Sequence, residues 1–252
     1  NTAPVVTVPG NYTIPYLTPF SLTGSATDIN GDPLTYIWEE YDLGQQAQVG
    51  ATQTAGNEFP LFRDFTPQTT GTRVFPKMSD IVNNVPTIGE RLPSVARTLK
   101  FRFTARDNRA NGGAISNNDT PVSLTVIATP DTFLVKQPNT AITWNTGTSQ
   151  TVLWDVSGTN TSPINCANVN IYLSVDGGYT YPYTLATGVP NNGTAIVTVP
   201  GVITTTARVK VEGAGNIFFD ISNVNFTIAA GGGVLTTLST LPLGSTTLCP
   251  GS

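Results

Sequence analysis

Residues 26–42 read ATDINGDPLTYIWEEYD and hold the chain's densest run of oxygen donors. Asp28, Asn30 and Asp32 fall two apart, ahead of an alternating stretch that runs into Glu39, Glu40 and Asp42. Counted from Asp28, ligand-type side chains occupy the first, third, fifth and twelfth places, which is much of an EF-hand calcium set. The sixth place is Pro33, however, where that loop wants glycine for its sharp turn, and LTYIW alternates as a strand. What remains is a loop with oxygens at alternate positions, able to hold Ca²⁺ if Glu39 or Asp107 comes near. Against it stands a β-turn in which Asn30-Gly31 accepts a left-handed backbone and the acids bond their own chain. The balance favours the turn feeding a core strand, with calcium, drawn from Asp28, Asn30, Asp32, Glu39 and Asp107, as the candidate cofactor.

Two carboxylates could also flank a glycosidic bond. Glu39 and Glu40 are neighbours on a strand, so they point to opposite faces and make no such pair; Glu58 with Asp64 is a further pairing. Histidine is absent from all 252 residues, which removes H-E-x-x-H zinc sites, Ser-His-Asp relays and any imidazole base. Two cysteines, Cys166 and Cys249, are too few for a zinc site and leave a disulfide or a buried thiol. The expectation is therefore a chain without catalytic residues.

SVDGGYTY (174–181) fits the Asp-box pattern S-x-D-x-G-x-T-W, with Tyr181 at the Trp place, and reads as a hairpin staple. Beside it, Tyr179, Tyr181 and Tyr183 alternate. Exposed, such a row would form a ligand-binding platform for sugar; buried, it would be core or an interdomain seam, and burial is favoured.

These residues need β-elements to position them. Only 11% of residues are charged, against roughly a quarter in an average soluble protein. Thr, Asn, Gly and Pro fill the polar places, as in many extracellular β-proteins. A net charge of −4 without a basic cluster excludes nucleic acid as a partner. No stretch approaches the length of a membrane span, so no membrane insertion is expected. Short period-2 segments between turn residues predict an all-β chain: two tandem antiparallel β-sandwiches, immunoglobulin-like or fibronectin type III-like. The first covers 1–128, with Trp38 on a middle strand, a late strand over 98–107 and a long excursion over 43–97. That excursion carries Phe59, Phe62, Phe65 and Phe75 and one helical turn capped by Ser79 or Asp80. The second covers 129–229, with Trp154 in its core; 230–252 is a linker and the start of a further module.

PLFRDFTPQTTGTRVFPKMSDIVNN followed by RTLKFRFTARDNRANGGA resembles a region C-terminal to the catalytic domain of secreted reprolysin-like zinc metalloproteases of Bacteroidetes. NCANVNIYLSVDGGYTYPYTLATGVPNNGTAIVTVP with ARVKVEGAGNIFFDISNVNFTI is similar to the next module of those proteins, and TTLCPGS to the start of another. The resemblance implies secreted or cell-surface, non-catalytic modules of a multimodular bacterial protein, exported with a C-terminal sorting domain. The implied partners are neighbouring domains of the same chain and an extracellular protein or glycan. None of the protease's metal ligands carries over, since there is no histidine. Related modules in large surface proteins keep a cell-adhesion or carbohydrate-binding module as the alternative.

Overall fold

The computed structural model describes residues 1–44, 51–54 and 59–231. In the first half the elements are β1 (Val5–Thr7), β2 (Tyr12–Pro15), β3 (Phe20–Thr23), β4 (Ser25–Thr27), β5 (Leu34–Glu40), β6 (Thr72–Phe75), α1 (Met78–Asn83), β7 (Arg97–Asp107), β8 (Ile115–Asn117) and β9 (Val122–Ile127). The second half holds β10 (Leu134–Gln137), β11 (Thr143–Asn145), β12 (Ser149–Asp155), β13 (Asn168–Ser174), β14 (Tyr183–Pro190), β15 (Thr194–Thr198), β16 (Thr204–Gly213), β17 (Phe219–Ile221) and β18 (Phe226–Ala229). The chain is almost wholly β, and each half is an immunoglobulin-like sandwich of two layers.

One layer of the first half runs β2-β9-β7-β5, with β8 on β7; facing it are the pairs β3-β6 and β1-β4. The second half faces β10-β12-β15 with β11-β18-β16-β13-β14, and β17 joins β16. Among the described residues pairing is antiparallel with one exception in each half: β2 runs parallel to β9, and β11 parallel to β18. The reason is a shared device. In each half the entering segment starts in one layer (β1 on β4, β10 on β12), meets a proline, and crosses to the other layer. It then lies beside the last strand without reversing, so the two run the same way.

Alternation along β7 buries Phe101, Phe103 and Ala105 completely, while Arg102 stays half-buried and Arg106 exposed. Thr104, between Phe103 and Ala105, is also buried, and its hydroxyl donates to Glu39 Oε2. Phe20 stacks on Phe75 at 5.0 Å, and Trp38 meets Phe103 at 4.9 Å. Trp38 is 2% exposed and Trp154 4% exposed, so both are core residues. Within the excursion, β6 is a full partner of β3, from Phe20 opposite Phe75 to Thr23 opposite Thr72. Four residues are too few to show a period in sequence. Where β6 begins, a Cβ at Gly71 would lie 1.9 Å from the carbonyl oxygen of Gly24, so these two backbones touch only through glycine.

Phe59, Phe62 and Phe75 are buried as expected of residues that pin the excursion; Phe65 is instead 38% exposed, with the Arg73 guanidinium over its ring at 4.4 Å. α1 has Lys77 at its N-cap and no side-chain cap. Asp80 lies inside the helix, where Oδ2 accepts from Thr87 N at 3.0 Å and tethers the following loop, so neither expected cap acts as one.

Among the described residues no strand of the first half's sheets continues into the second half's, apart from a single bridge between Phe20 and Phe218, yet the apolar interior is continuous between them. Ser21 N donates to Ile217 O at 3.0 Å, Phe219 N to Pro19 O at 2.9 Å, and Asn216 Nδ2 to Thr13 O at 3.1 Å. Beside these bonds Val82, Phe219 and Ile221 form a small core with Met78, Ile81 and Tyr181. The excursion's helix is thus one wall of a seam between the halves.

Candidate functional site

The acidic stretch folds as the turn its sequence suggests. Asp28 Oδ1 accepts from Asn30 N at 2.8 Å and Asp32 N at 3.3 Å, Gly31 N donates to Asp28 O at 3.2 Å, and Gly31 has φ +75°. The same fold also gathers charge. The β5–β7 register sets Leu34 opposite Asp107, which carries the end of β7 to the turn. Asp28, Asp32 and Asp107 each then offer an oxygen, all within 4.8 Å of one another.

Asp107 is 5% exposed and well bonded: Oδ1 accepts from Arg109 N at 2.8 Å, and Oδ2 accepts a short bond from Asn1 Nδ2. The Asn1 bond, opposed by desolvation and helped by backbone donors and the Arg109 charge, holds its carboxyl below the usual carboxylate range. The turn differs. Oδ2 of Asp28 and Oδ2 of Asp32 are both enclosed and have no hydrogen-bond partner. Buried carboxylate oxygens nearly always find a donor.

Of the other two residues expected here, Asn30 stays in the turn but turns its oxygen to another partner, and Glu39 lies further away. Asn30 Oδ1 is taken by Thr2 N at 2.9 Å. Glu39 sits five residues further along β5, roughly 16 Å at about 3.3 Å per residue. There its Oε2 accepts from Arg102 Nε at 3.3 Å and Thr104 Oγ1 at 3.0 Å. Asn1, whose amide closes the cluster, was invisible in sequence because 106 residues separate it from Asp107.

Glu39 and Glu40 diverge, as adjacent strand residues must. Glu40 Oε2 accepts from Leu61 N at 2.6 Å and Phe62 N at 2.7 Å, pinning the excursion. Burial, reinforced by Asp42, raises its carboxyl to about 8 against the pull of those two donors. Arg97 Nη2 lies 4.0 Å from Glu40 and 3.5 Å from Asp42. Deeper in the excursion Arg73 pairs with Glu90 at 2.8 Å, while Lys77 N donates to Glu90 Oε2 at 2.8 Å. Glu58 lies outside the described residues, so its pairing with Asp64 stays a sequence expectation.

In the Asp box, Ser174 Oγ donates to Asp176 Oδ1 at 2.6 Å. That same oxygen accepts from Tyr179 N and Thr180 N, both at 3.0 Å, and Oδ2 from Thr180 Oγ1 at 2.6 Å. Desolvation opposes the charge, but these four donors hold Asp176 well below its ordinary value. The tyrosines after it form no row. Tyr179 is 50% exposed, Tyr181 packs into the seam with its hydroxyl enclosed, and Tyr183 packs on the main core. The strand β14 starts at Tyr183, after the Asp-box turn.

An open cleft of about 440 Å³ lies between β5 and the excursion, with Tyr36, Phe65, Gln68, Arg73, Lys77 and Met78 on its walls. Cys166 is buried with its Sγ toward Asn168 O at 3.2 Å, and burial pushes the thiol up to about 11. Its possible partner Cys249 lies outside the described residues.

No protein-family profile matches the chain, and no curated protein matches it. By shape it aligns with the N-terminal four Ig domains of Dscam1 isoform 9.44, at 9% identity over 90% of this chain and 52% of that one, TM-score 0.31. A marsupial T cell receptor aligns at 10% identity over 89% and 73%, TM-score 0.27. SGBP-B of the Bacteroides ovatus mixed-linkage glucan utilization locus, solved with a mixed-linkage heptasaccharide, aligns at 12% identity over 90% and 48%, TM-score 0.25. The chain thus spans about half the length of the Dscam1 fragment. At such scores these likenesses carry no argument about function; the fold class rests on the strand order.

Proposed function

We propose that the chain is a non-catalytic pair of extracellular modules from a larger secreted or surface protein. Its work is to space and support a neighbouring domain, a protease domain on the sequence resemblance, and to engage substrate or surface. The observation that carries this is the seam. Backbone bonds between Ser21 and Ile217 and between Phe219 and Pro19, with the Val82–Phe219–Ile221 core, tie the two sandwiches at several points. A spacer needs that stiffness, whereas modules joined by linker alone would be free to reorient. Division of the chain into folding units at 128 and 229 belongs to the same proposal.

The test measures distance across the seam. With Cys249→Ser as background, paired labels at Ile115→Cys and Ile196→Cys should give one narrow distance distribution. Phe219→Ala should broaden it. A broad distribution in the parent chain would sink the spacer reading. An H-E-x-x-H domain elsewhere in the same polypeptide would support the protease neighbour.

The second reading, a carbohydrate-binding or adhesion module, draws on the cleft. Its volume lies within the range of small-molecule sites, and the excursion supplies aromatic and hydrogen-bonding walls. Binding to a glycan array that Phe65→Ala abolishes would favour it over a plain spacer.

A further inference from the structure

We propose that Asp28, Asp32 and Asp107 form a calcium site that clamps the turn before β5 to the end of β7. This goes beyond the spacer reading and does not depend on it. Three carboxylates converge within 4.8 Å, and oxygens bound to one Ca²⁺ at about 2.3–2.6 Å can be no further apart than about 5 Å. Convergence alone would not identify a site, since acids crowd on many surfaces. The second observation is the pair of orphan oxygens. Asp28 spends Oδ1 on the turn and keeps Oδ2 enclosed without a donor, and Asp32 Oδ2 is enclosed in the same way. The cationic side chain at Asp107 is Arg109, whose Nη1 is directed at Asn1 Oδ1 at 3.4 Å. A bound cation would satisfy both orphan oxygens and the mutual repulsion together.

The donor set selects the ion. All donors are hard oxygens, with neither the histidine nor the thiolate that zinc and copper prefer. Ca²⁺ tolerates an irregular shell completed by carbonyls and water, whereas Mg²⁺ demands a near-ideal octahedron. The turn reading and the metal reading are therefore compatible: Asp28 Oδ1 builds the turn, while Oδ2 of Asp28 and Oδ2 of Asp32 have no protein donor.

The experiment uses the full chain, freed of metal with EDTA and titrated with CaCl₂ by calorimetry and thermal melting. At about a hundredfold excess over the dissociation constant, ion binding to the folded state should raise the melting temperature by about 5–10 °C. Asp32→Asn keeps the side chain's size and should abolish that shift. The same substitution should leave the metal-free melting temperature unchanged or raise it, because one of three repelling charges is gone. Glu39→Gln, outside the cluster, should keep the full shift. Absence of heat and shift in the parent chain would overturn the proposal, as would a shift retained in Asp32→Asn. A lowered metal-free melting temperature in Asp32→Asn would show that the carboxylate serves only the turn, and an equal response to Mg²⁺ would overturn the choice of calcium.

Discussion

The two sandwiches share a strand plan but treat their polar interiors differently. Among the described residues, six enclosed side-chain atoms without a hydrogen-bond partner fall in the first half, on Asp28, Asp32, Glu40, Arg73 and Arg97. The second half has two, Trp144 Nε1 and the Tyr181 hydroxyl. All six in the first half belong to carboxyl or guanidinium groups; the two in the second belong to an indole and a phenol. The acidic turns repeat the contrast: Asp176 is saturated by four donors, while Asp28 and Asp32 each keep an empty oxygen. In the second half, the Asp-box carboxylate finds all four donors within four residues along the chain. The first half must anchor a long excursion, and it does so with buried ionisable side chains: Arg97 Nη2 donates to Phe59 O, 38 residues away, and Glu40 accepts from Leu61 N. Buried charge of that kind fixes geometry without contributing much net stability.

The largest effect expected is common to both halves. Trp38 bonds Gly71 O at 2.9 Å and Trp154 bonds Asn191 Oδ1 at 2.8 Å, each inside its own sandwich. Trp38→Ala and Trp154→Ala should each cost about 3–5 kcal/mol in urea unfolding. If 1–128 and 129–229 fold separately, each change should displace only one of two transitions. A single transition that moves with either would make the seam part of one cooperative unit.

The next prediction sets the halves against each other. Glu90→Ala removes the carboxylate that neutralises the buried Arg73 guanidinium, leaving it only the carbonyls of Trp38 and Arg63, and should cost about 3–5 kcal/mol. Asn191 serves Trp154 Nε1, Thr159 Oγ1 and Cys166 O, all neutral, so Asn191→Ala should cost only about 1–3 kcal/mol. Equal losses would mean that removing a buried charged partner costs no more than removing a neutral one.

Acid and base sharpen the contrast further. Glu40 holds its proton up to about 8 in the folded chain, against 4.5 ordinarily, so the unfolded chain releases it first. Its contribution is complete below about 4.5 and is lost as pH rises through about 8. Glu40→Gln keeps an acceptor for Leu61 and Phe62 and should make stability less dependent on pH across that window. Melting curves from pH 5 to 8 that fall in parallel for both chains would contradict this. Asp176 runs the opposite way: its depressed pKa contributes above the ordinary 3.8 and is lost as pH falls further. Asp176→Asn should therefore matter least, a small loss at neutral pH that disappears in acid.

Much of this molecule was legible in order of residues alone. Alternation in LTYIWEE and KFRFTARD placed β5 and β7, because a strand shows its period to anyone who counts by two. The same counting separated Glu39 from Glu40 and ruled out their pairing. Asn30-Gly31 announced a turn, and the Asp box announced its staple, since both rest on bonds within a few residues. Counting ligands along one loop could not show that Asn30 Oδ1 accepts from Thr2 or that Glu39 accepts from Arg102 and Thr104. Only the tertiary structure could bring Asn1 and Asp107 to that turn, pair Arg73 with Glu90, or turn a row of tyrosines into part of a seam. Those contacts depend on β-register and on the path of a long excursion, which sum many weak, distant preferences that no short window contains. The sequence by itself therefore determined the strands, the turns and the absence of imidazole chemistry; folding alone decided which carboxylates meet and which are left without a donor.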